Sequence, residues 1–210
     1  MEWRQWKPIY EKILKDFGFN RQKDEEAAKL AAEIAKSNVT PKKLEGIIHG
    51  KVVSICGAGK NLEEEMGKIE GIVIAADEAT TSLLKHGIIP HIITTDLDGN
   101  IEDLIKANKE GSIVIIHAHG DNMESLKSWL PFFKGKILLT TQSKPFDAVY
   151  NFGGFTDGDR AYCIAKHFNA KKIKLIGFDF ENPRKKEGKD IGIKKKKLEW
   201  AKKIIEVHLI

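Results

Sequence analysis

The sequence predicts an α/β protein with a doubly wound, mostly parallel sheet, preceded by an N-terminal helical segment. From Lys51 onwards, six short apolar runs rich in β-branched residues recur, and segments with helical spacing separate most of them. Strands buried on both faces give continuous apolar runs, and strands that alternate with helices form parallel sheets. We therefore expect an α/β catalytic domain over residues 50–210 after a helical segment over residues 1–49.

The elements follow in chain order. The N-terminal segment contains WRQWKPIYEKILKDF with helical spacing, the Ala- and Glu-rich KDEEAAKLAAEIAKS, and TPKKLEGII, in which Thr40 is a plausible N-cap and Pro41 the first helical residue. We expect it to form a helical cap or a dimer surface. The predicted strands are KVVSIC, GIVIAA, HIITT, SIVIIH, KILLTT and KIKLIGF. The predicted helices between and after them are DEATTSLLKHG, NIEDLIKANKEG, DNMESLKSWLPFF, DGDRAYCIAKHFNA and KLEWAKKIIEVHLI.

Composition excludes several classes of protein. The 210 residues are 41% hydrophobic, and no apolar run approaches the roughly 20 residues of a membrane span. The first residues lack the apolar run of a signal peptide, so we expect a cytoplasmic protein with two buried thiols, Cys56 and Cys163.

Much of the net charge of +5 lies in Pro183–Lys197, which is either a solvated loop or a flap that contacts phosphate. Nucleic acid is a weaker partner, since no basic stripe with aromatics accompanies it.

Polar or glycine-rich segments follow all six predicted strands. Ligands of open parallel sheets bind beyond the carboxyl ends of the strands. The residues at those ends are Gly57, Gly59 and Asn61; Asp77; Asp96 and Asp98; His117, His119, Asp121 and Asn122; Thr140, Thr141 and Gln142; Asp179 and Glu181. Their accumulation predicts a site for a phosphorylated ligand with a cation.

The segment TDLDG is the most specific of these. Asp96 and Asp98, two positions apart on extended chain, can bracket one Mg²⁺ whose remaining ligands are phosphate oxygens. A turn with surface acids is the alternative. An EF-hand loop is excluded, because its twelfth position falls on Ala107.

Two neighbouring segments leave alternatives open. GAGKN is either a phosphate cradle at a helix N-terminus or a tight turn, and it matches neither the P-loop nor the dinucleotide fingerprint. In HAHGDN, His117 or His119 contacts a phosphate or moves a proton, or both are ordinary histidines before Asp121 as an N-cap. Zinc ranks below Mg²⁺ here, because the nearby carboxylates suit a harder cation.

The segment NFGGFTDGDRA carries a further candidate. Gly153 and Gly154 permit close backbone approach, and Thr156 or Asp157 begins a helix. Arg160 lies in the first turns, where acids are usual, so it indicates an anion partner unless it lies on the surface.

The stretch IVIAADEATTSLLKHGIIPHIITTDLDG resembles the catalytic core of thiamin pyrophosphokinases. The matching features are Asp77, the turn Gly87–Pro90, and Asp96 with Asp98. This chain has Gly99 where those enzymes usually have Ser, and too few residues after Asp179 for their second, β-sandwich domain.

The closer resemblance is to the MptE-like archaeal 6-hydroxymethyl-7,8-dihydropterin pyrophosphokinases. The motifs CGAGKNL, TTDLDG, HAHGDN, GGFTDGDRA and IGFDF carry it, most firmly between Val52 and Phe180. The resemblance implies transfer of diphosphate from ATP to the pterin alcohol, with Mg²⁺, in tetrahydromethanopterin or folate-type cofactor synthesis. We also expect a homodimer with no nucleic acid or membrane partner.

The roles expected in that reaction follow the strand ends. Asp96, Asp98 and Asp121 are the predicted metal ligands, and Asp77 or Asp121 completes the metal shell or takes the hydroxyl proton. Arg160 and a lysine of the basic stretch balance the phosphate charge, because phosphoryl transfer depends mainly on positioning and electrostatics. The residues expected to contact the nucleotide are Gly57, Gly59, Asn61, His117, His119, Gly153, Gly154, Asp157 and Arg160.

Two rival functions come from other classes. TTDLDGN also resembles the first motif of haloacid-dehalogenase-type phosphatases, in which Asp96 would be the nucleophile. A non-catalytic nucleotide-binding domain is the second rival. For a pterin acceptor, we expect the pocket to come from the segment 142–155 and the N-terminal helices. Candidate stacking rings are Phe146, Tyr150, Phe152 and Phe155.

Overall fold

The computed structural model describes residues 1–182 and 190–207. Its helices are α1 (Trp3–Phe17), α2 (Arg21–Ile34), α3 (Pro41–Ile48), α4 (Leu62–Glu65), α5 (Ala79–Lys85), α6 (Ile101–Lys109), α7 (Met123–Trp129), α8 (Asp157–His167) and α9 (Ile191–Val207). Its strands are β1 (Val52–Cys56), β2 (Ile72–Ala76), β3 (Ile92–Thr95), β4 (Ile113–Ala118), β5 (Ile137–Thr141), β6 (Val149–Tyr150) and β7 (Lys172–Ile176).

The strands of the described residues form one sheet in the order β6-β5-β4-β3-β2-β1-β7. Every neighbouring pair is parallel. The central strands are buried along nearly their whole length, as their continuous apolar runs predict. The predicted doubly wound α/β fold is therefore confirmed. Strand β6 was not predicted, because two residues are too few to give a periodic signal.

Helices cover both faces of the sheet. One face packs against α2, α5, α6 and α7 in a core that includes Ala28, Leu83, Leu104 and Leu126. The other face packs against α3 and α8. Successive strands from β1 to β6 step in one direction, and the chain then returns along α8 to place β7 on the far side of β1. The segments that follow β1 and β7, the two strands at this reversal, contact each other at the carboxyl edge of the sheet.

The N-terminal helices pack directly onto this framework. Trp6 and Tyr10 of α1 are fully buried. They belong to a hydrophobic cluster that also contains Phe155, Cys163 on α8 and Ile204 on α9. Helix α2 contributes a stripe of buried alanines to the core on the first face. Small side chains let α2 approach the sheet closely, which brings the beginning of this helix to the carboxyl ends of β4 and β5.

Several local predictions are confirmed. Helix α3 has Thr40 as its N-cap residue and Pro41 at its first position. Cys56 and Cys163 are free, buried thiols. Burial raises the pKa of each thiol to about 12, so neither is a ready nucleophile at neutral pH. The division of the chain at residues 49 and 50 stays a prediction.

The basic stretch is only partly within the described residues. Residues 183–189, the first seven of the fifteen residues of the predicted flap, lie outside them. Helix α9 begins at Ile191, six residues before the predicted helix, and its first two turns carry Lys194 and Lys197. No helix in the described part of the chain combines the length and apolar character needed to cross a membrane.

Candidate active site

A pocket of about 800 Å³ opens at the carboxyl edge of the sheet. Its floor is formed by the segments after β1 to β5, and its walls by the α1–α2 loop, the first turn of α8 and the beginning of α9. The predicted site residues that line it are Asp77, Asp96, Asp98, His119, Asp121, Asp157 and Arg160. The chain thus brings together, in one cavity, polar residues that are up to 83 positions apart in the printed sequence.

Asp77 is held by an unusual backbone geometry directly after β2. Its φ is 41°, in the left-handed region that non-glycine residues rarely adopt. The backbone N–H of Asp77 donates to Thr94 O at 2.8 Å, and the hydroxyl of Thr95 donates to Asp77 Oδ1. A Cβ on Gly99 would lie 2.2 Å from Asp77 Oδ2. Glycine at position 99, where thiamin pyrophosphokinases usually have Ser, therefore makes room for the Asp77 carboxylate.

Asp77, Asp96 and Asp157 form a cluster of carboxylates. One oxygen from each lies within 4.8 Å of the others. Asp96 Oδ1 and Asp157 Oδ1 are buried without a hydrogen-bond partner. Burial raises the pKa of Asp157 well above its ordinary value, and the negative charges of Asp96 and Asp77 raise it further. Uncompensated buried carboxylates are costly, and a divalent cation with oxygen ligands removes that cost, so the donor set fits Mg²⁺.

His119 orients Asp96. Its Nδ1 accepts the backbone N–H of Asp121 at 3.3 Å, so its Nε2 carries the proton that faces Asp96 Oδ2 at 3.2 Å. Burial alone would raise the pKa of Asp96. The His119 contact and the positive charges of Lys197 and Arg160 outweigh burial and lower this pKa to about 2. Asp96 therefore carries a negative charge throughout the physiological pH range.

Asn122 ties the ends of β3 and β4 together. Its side-chain amide donates to Asp96 O and to His117 O, both at 2.7 Å, and its Oδ1 accepts the His119 N–H at 3.0 Å. Asn122 is also the N-cap residue of α7, so the interpretation of Asp121 as that cap is wrong. The Asp121 side chain is exposed and lines the pocket instead.

His117 lies in the interior. It is 1% exposed, and its Nδ1 lies 3.1 Å from Thr140 Oγ1. Its ring stacks against that of His119 with centroids 5.9 Å apart. Burial lowers the pKa of His117 well below its ordinary value, and the neighbouring positive charge of Arg160 lowers it further. The structure therefore presents a neutral imidazole behind His119.

Arg160 is buried in the wall of the pocket, so surface placement is wrong. Its guanidinium donates to Gly154 O at 3.1 Å and to Phe155 O at 3.2 Å, and it is 4% exposed. Gly153 and Gly154 have φ values of 83° and 96°. A Cβ at Gly154 would lie 2.3 Å from Arg160 Cα. These glycines therefore fold the loop back against α8 and fix the arginine. The helix begins at Asp157 after Thr156 as N-cap, as predicted.

The GAGKN segment packs against the loop after β7. The N–H of Gly57 donates to Ile176 O, and that of Gly59 donates to Gly177 O, both at 2.8 Å. A Cβ on Gly59 would lie 2.5 Å from Gly177 O. This geometry supports the tight turn, because both amides are already engaged within the protein. Ala58 lines the pocket, and Asn61 is the N-cap residue of the four-residue helix α4.

Two residues that line the pocket, Phe19 and Asp24, were not named from the sequence. Asp24 lies in the first turn of α2, where an acid is ordinary, so its sequence position gave no signal. The Asp24 carboxylate contacts residues as far along the chain as Gln142. Such contacts follow only from the docking of α2 on the sheet. The lysines of α9 were visible as charge, but not which of them face the pocket.

The fold and the site define an α/β enzyme whose pocket, lined by carboxylates and a buried arginine, lies at the carboxyl edge of a parallel sheet. The family model described as 6-hydroxymethylpterin diphosphokinase MptE-like matches residues 26–185. The chain belongs to this family, as its motifs predicted, and is an enzyme of the diphosphokinase class.

Three curated relatives support this membership, and each is named 6-hydroxymethyl-7,8-dihydropterin pyrophosphokinase. The protein from Pyrococcus furiosus is 46% identical over 186 residues, which cover 86% of this chain and 79% of the relative. That from Methanocaldococcus jannaschii is 40% identical, covering 98% and 95%. That from Methanothermobacter thermautotrophicus is 38% identical, covering 98% and 94%.

Among solved structures, the MAf glycosyltransferase from Magnetospirillum magneticum AMB-1 aligns with a TM-score of 0.46 and 14% identity. The alignment covers 77% of this chain and 29% of that chain. A similarity at this level carries no argument about fold or function.

Proposed function

We propose that this protein transfers a diphosphate group from ATP to 6-hydroxymethyl-7,8-dihydropterin in a Mg²⁺-dependent reaction. The hydroxyl oxygen bonds to the β-phosphorus of ATP, the bond from that phosphorus to the α–β bridging oxygen breaks, and AMP leaves. The products are AMP and the pterin diphosphate, and the hydroxyl proton is released. The names of the three curated relatives support the substrate.

The carboxylate cluster is the single observation that supports the cation. Asp77, Asp96 and Asp157 would hold Mg²⁺, which when bound neutralises charge on the phosphate oxygens. Asp98 and Asp121 stay predicted ligands, and both line the same pocket. Asp77 or Asp121 remains the proposed acceptor of the hydroxyl proton.

The basic residues of the pocket have a matching role. Arg160 and Lys197 place positive charge close enough to Asp96 to lower its pKa, and Lys194 lines the same cavity. We propose that these groups bind the phosphates of ATP. There they would stabilise the negative charge that develops on AMP as it leaves. The N-terminal end of a helix carries a partial positive charge, so lysines in the first turns of α9 are unfavourable by themselves. A bound anion at that end would interact favourably with both the lysines and the helix dipole.

Part of the region that was predicted to bind the acceptor lines the cavity. Gln142, Phe155 and the beginning of α2 line the cavity. Of the candidate rings, Phe155 is the one that lines it, whereas Phe152 packs between His167 and Phe168. Because no β-sandwich domain is present in the described residues, we expect little or no transfer to thiamin.

The wider setting is part of the same proposal. We place the enzyme in tetrahydromethanopterin or folate-type cofactor synthesis, in the cytoplasm and as a homodimer. We propose neither a nucleic acid nor a membrane as partner.

The test is incubation with ATP, Mg²⁺ and a panel of acceptors, followed by mass spectrometry of the products. We expect AMP and a diphosphorylated pterin, and loss of most turnover in Asp96→Asn. The matched control is Asp147→Asn, an exposed residue with φ of 44°, a conformation that Asn tolerates well. Formation of inorganic phosphate through a phosphoenzyme on Asp96 would instead establish the phosphatase. ATP binding without turnover of any acceptor would establish the non-catalytic domain.

A further inference from the structure

Asp24 is a buried carboxylate in the wall of the pocket that the reaction described above does not use. It is 3% exposed and lies in the first turn of α2. Its Oδ2 accepts the Tyr10 hydroxyl at 2.7 Å and the Gln142 Nε2 at 2.9 Å. Its Oδ1 accepts the backbone N–H of Gly120 at 2.8 Å. These three donors fix the carboxylate in one orientation.

This carboxylate retains capacity for a ligand. A carboxylate offers about four lone-pair positions and donates nothing. The three bonds fill both positions of Oδ2 and one of Oδ1, so one position of Oδ1 is left. Because Gln142 turns its Nε2 towards Asp24, its Oε1 supplies a second acceptor on the same wall. Asp24 and Gln142 together therefore match a ligand edge with two adjacent N–H donors.

Aromatic rings flank this wall. Phe19 and Phe155 both line the pocket, with centroids 6.4 Å apart. Phe17 supports them from behind, 5.2 Å from each ring. A planar ligand with a polar edge gains apolar contact from such rings while its edge meets the carboxylate.

The position of Asp24 relative to the carboxylate cluster sets the direction of the ligand. Gly120, which donates to Asp24, directly follows His119, which contacts Asp96. Consecutive Cα atoms are about 3.8 Å apart, so the two polar regions are adjacent along the pocket. A bicyclic ring whose polar edge binds Asp24 can therefore reach the carboxylate cluster with its opposite end.

We infer that Asp24 and Gln142, with Phe19 and Phe155, form the acceptor subsite, and that Asp24 reads the aminopyrimidinone edge of the pterin. This inference rests on the proposed function. The N3–H and 2-amino groups of that edge are adjacent donors, and the hydroxymethyl group lies at the opposite end of the ring, facing the phosphates. Adenine, the base of ATP, matches this wall less well. Its Watson–Crick edge alternates donor and acceptor, so its N1 acceptor would face the Asp24 carboxylate without a hydrogen bond.

The experiment compares two acceptors with Asp24→Asn. One acceptor is 6-hydroxymethyl-7,8-dihydropterin. The other is its 2-oxo analogue, in which a carbonyl acceptor replaces the 2-amino donor. The amide that this substitution introduces would present both a donor and an acceptor, so it suits the 2-oxo edge better than a carboxylate does. We expect the ratio of kcat/KM for pterin over analogue to fall about 10- to 100-fold, as for one hydrogen bond to a charged group. The dissociation constant for ATP should stay unchanged.

The matched control is Tyr10→Phe. This change removes one hydrogen bond to Asp24 from the side away from the pocket, because Tyr10 is fully buried. It should lower stability and leave the acceptor ratio as in the wild type. An unchanged ratio in an active Asp24→Asn enzyme would overturn the inference and leave the proposed function intact.

Two further measurements cover the remaining outcomes. If Asp24→Asn fails to fold, Gln142→Met leaves the carboxylate in place, and we expect it to raise the KM for pterin about tenfold without changing that for ATP. Equal KM values would then contradict the inference. If the wild type forms no pterin diphosphate, the proposed function fails. Quenching of pterin fluorescence then tests the subsite directly, and equal affinities of the wild type and Asp24→Asn would refute it.

Discussion

Replacing Asp157 by Asn should stabilise the protein in the absence of divalent cations while it weakens the response to Mg²⁺. The Asp157 carboxylate is buried against those of Asp96 and Asp77, and one of its oxygens has no hydrogen-bond partner. Asparagine has nearly the same shape and no charge, so the substitution removes repulsion without creating a cavity. The backbone carbonyl of residue 157 still accepts the Thr94 hydroxyl at 3.0 Å.

The magnitude follows from the geometry. Two unit charges 4.8 Å apart repel by about 3.5 kcal/mol at an effective dielectric constant near 20. The destabilisation by this repulsion cannot exceed the free energy of protonating one of the carboxylates. For an ordinary carboxylate at pH 7 that free energy is about 4 kcal/mol. The variant loses about 0.5 kcal/mol of interaction between the charge and the α8 dipole. We therefore expect the free energy of unfolding to rise by about 2–3 kcal/mol.

The assay is thermal unfolding at pH 7 in EDTA and again in a Mg²⁺ series. For a chain of this size the gain corresponds to a rise in Tm of roughly 4–12 °C in EDTA. Wild-type protein should gain stability as Mg²⁺ binds, because binding to the folded state alone stabilises it. The variant should gain less at every concentration.

The control is Asp159→Asn, in the same turn of α8. Asp159 is fully buried and, in contrast to Asp157, both of its oxygens are hydrogen-bonded: they accept the N–H of Phe155 and the N–H and hydroxyl of Thr156. Loss of these charge-assisted bonds should destabilise the protein by about 1.5–3 kcal/mol in EDTA and in Mg²⁺ alike. If Asp157→Asn destabilises in EDTA as Asp159→Asn does, or keeps the wild-type response to Mg²⁺, the carboxylate cluster is not a cation site.

The remaining predictions concern pH, backbone strain and the phosphate site. Because the folded-state pKa of Asp157 is raised, its favourable contribution is complete below about pH 4 and is lost as pH rises through that pKa. The stability difference between Asp157→Asn and the wild type in EDTA should therefore grow from pH 4 upwards, and a constant difference would contradict it. Gly154→Ala, at φ 96° and 2.3 Å from the α8 backbone, should cost more than about 2 kcal/mol in chemical unfolding, whereas Gly46→Ala inside α3 should gain about 0.5–1 kcal/mol. Lys197→Met should raise the KM for ATP about 3- to 10-fold, because Lys197 lines the pocket. The control is Lys196→Met, which should leave this KM unchanged, since the Nζ of Lys196 lies 3.0 Å from a carboxylate of α1. Equal effects of the two substitutions would show that Lys197 does not bind the phosphates.

Much of the fold was predictable because its signals are local. Continuous apolar runs, a proline at the start of α3 and glycines at loop positions each constrain a few neighbouring residues, and parallel strands then place all their carboxyl ends at one edge. This rule alone brought Asp77, Asp96 and Asp98 into one pocket. It required no knowledge of side-chain contacts.

The sequence pattern could not show which acids share a ligand. Asp96 and Asp98 are close in sequence, but the cluster within 4.8 Å joins Asp96 to Asp77 and to Asp157 on α8. That grouping depends on where α8 crosses the sheet, a long-range packing result. Asp24 was missed for the same reason, since its partners lie on other elements up to 118 positions away.

Several exceptions to local rules lie around the carboxylate cluster. Asp77 and Leu97 both have positive φ, at 41° and 65°, although neither is glycine. Asp157 is buried beside like charges, and Arg160 is buried without a carboxylate within salt-bridge distance among the described residues. Each of these features costs free energy of folding. A cation bridging the acids and an anion against the arginine would offset both costs together, which is the physical reason to assign a metal–phosphate ligand to this edge of the sheet.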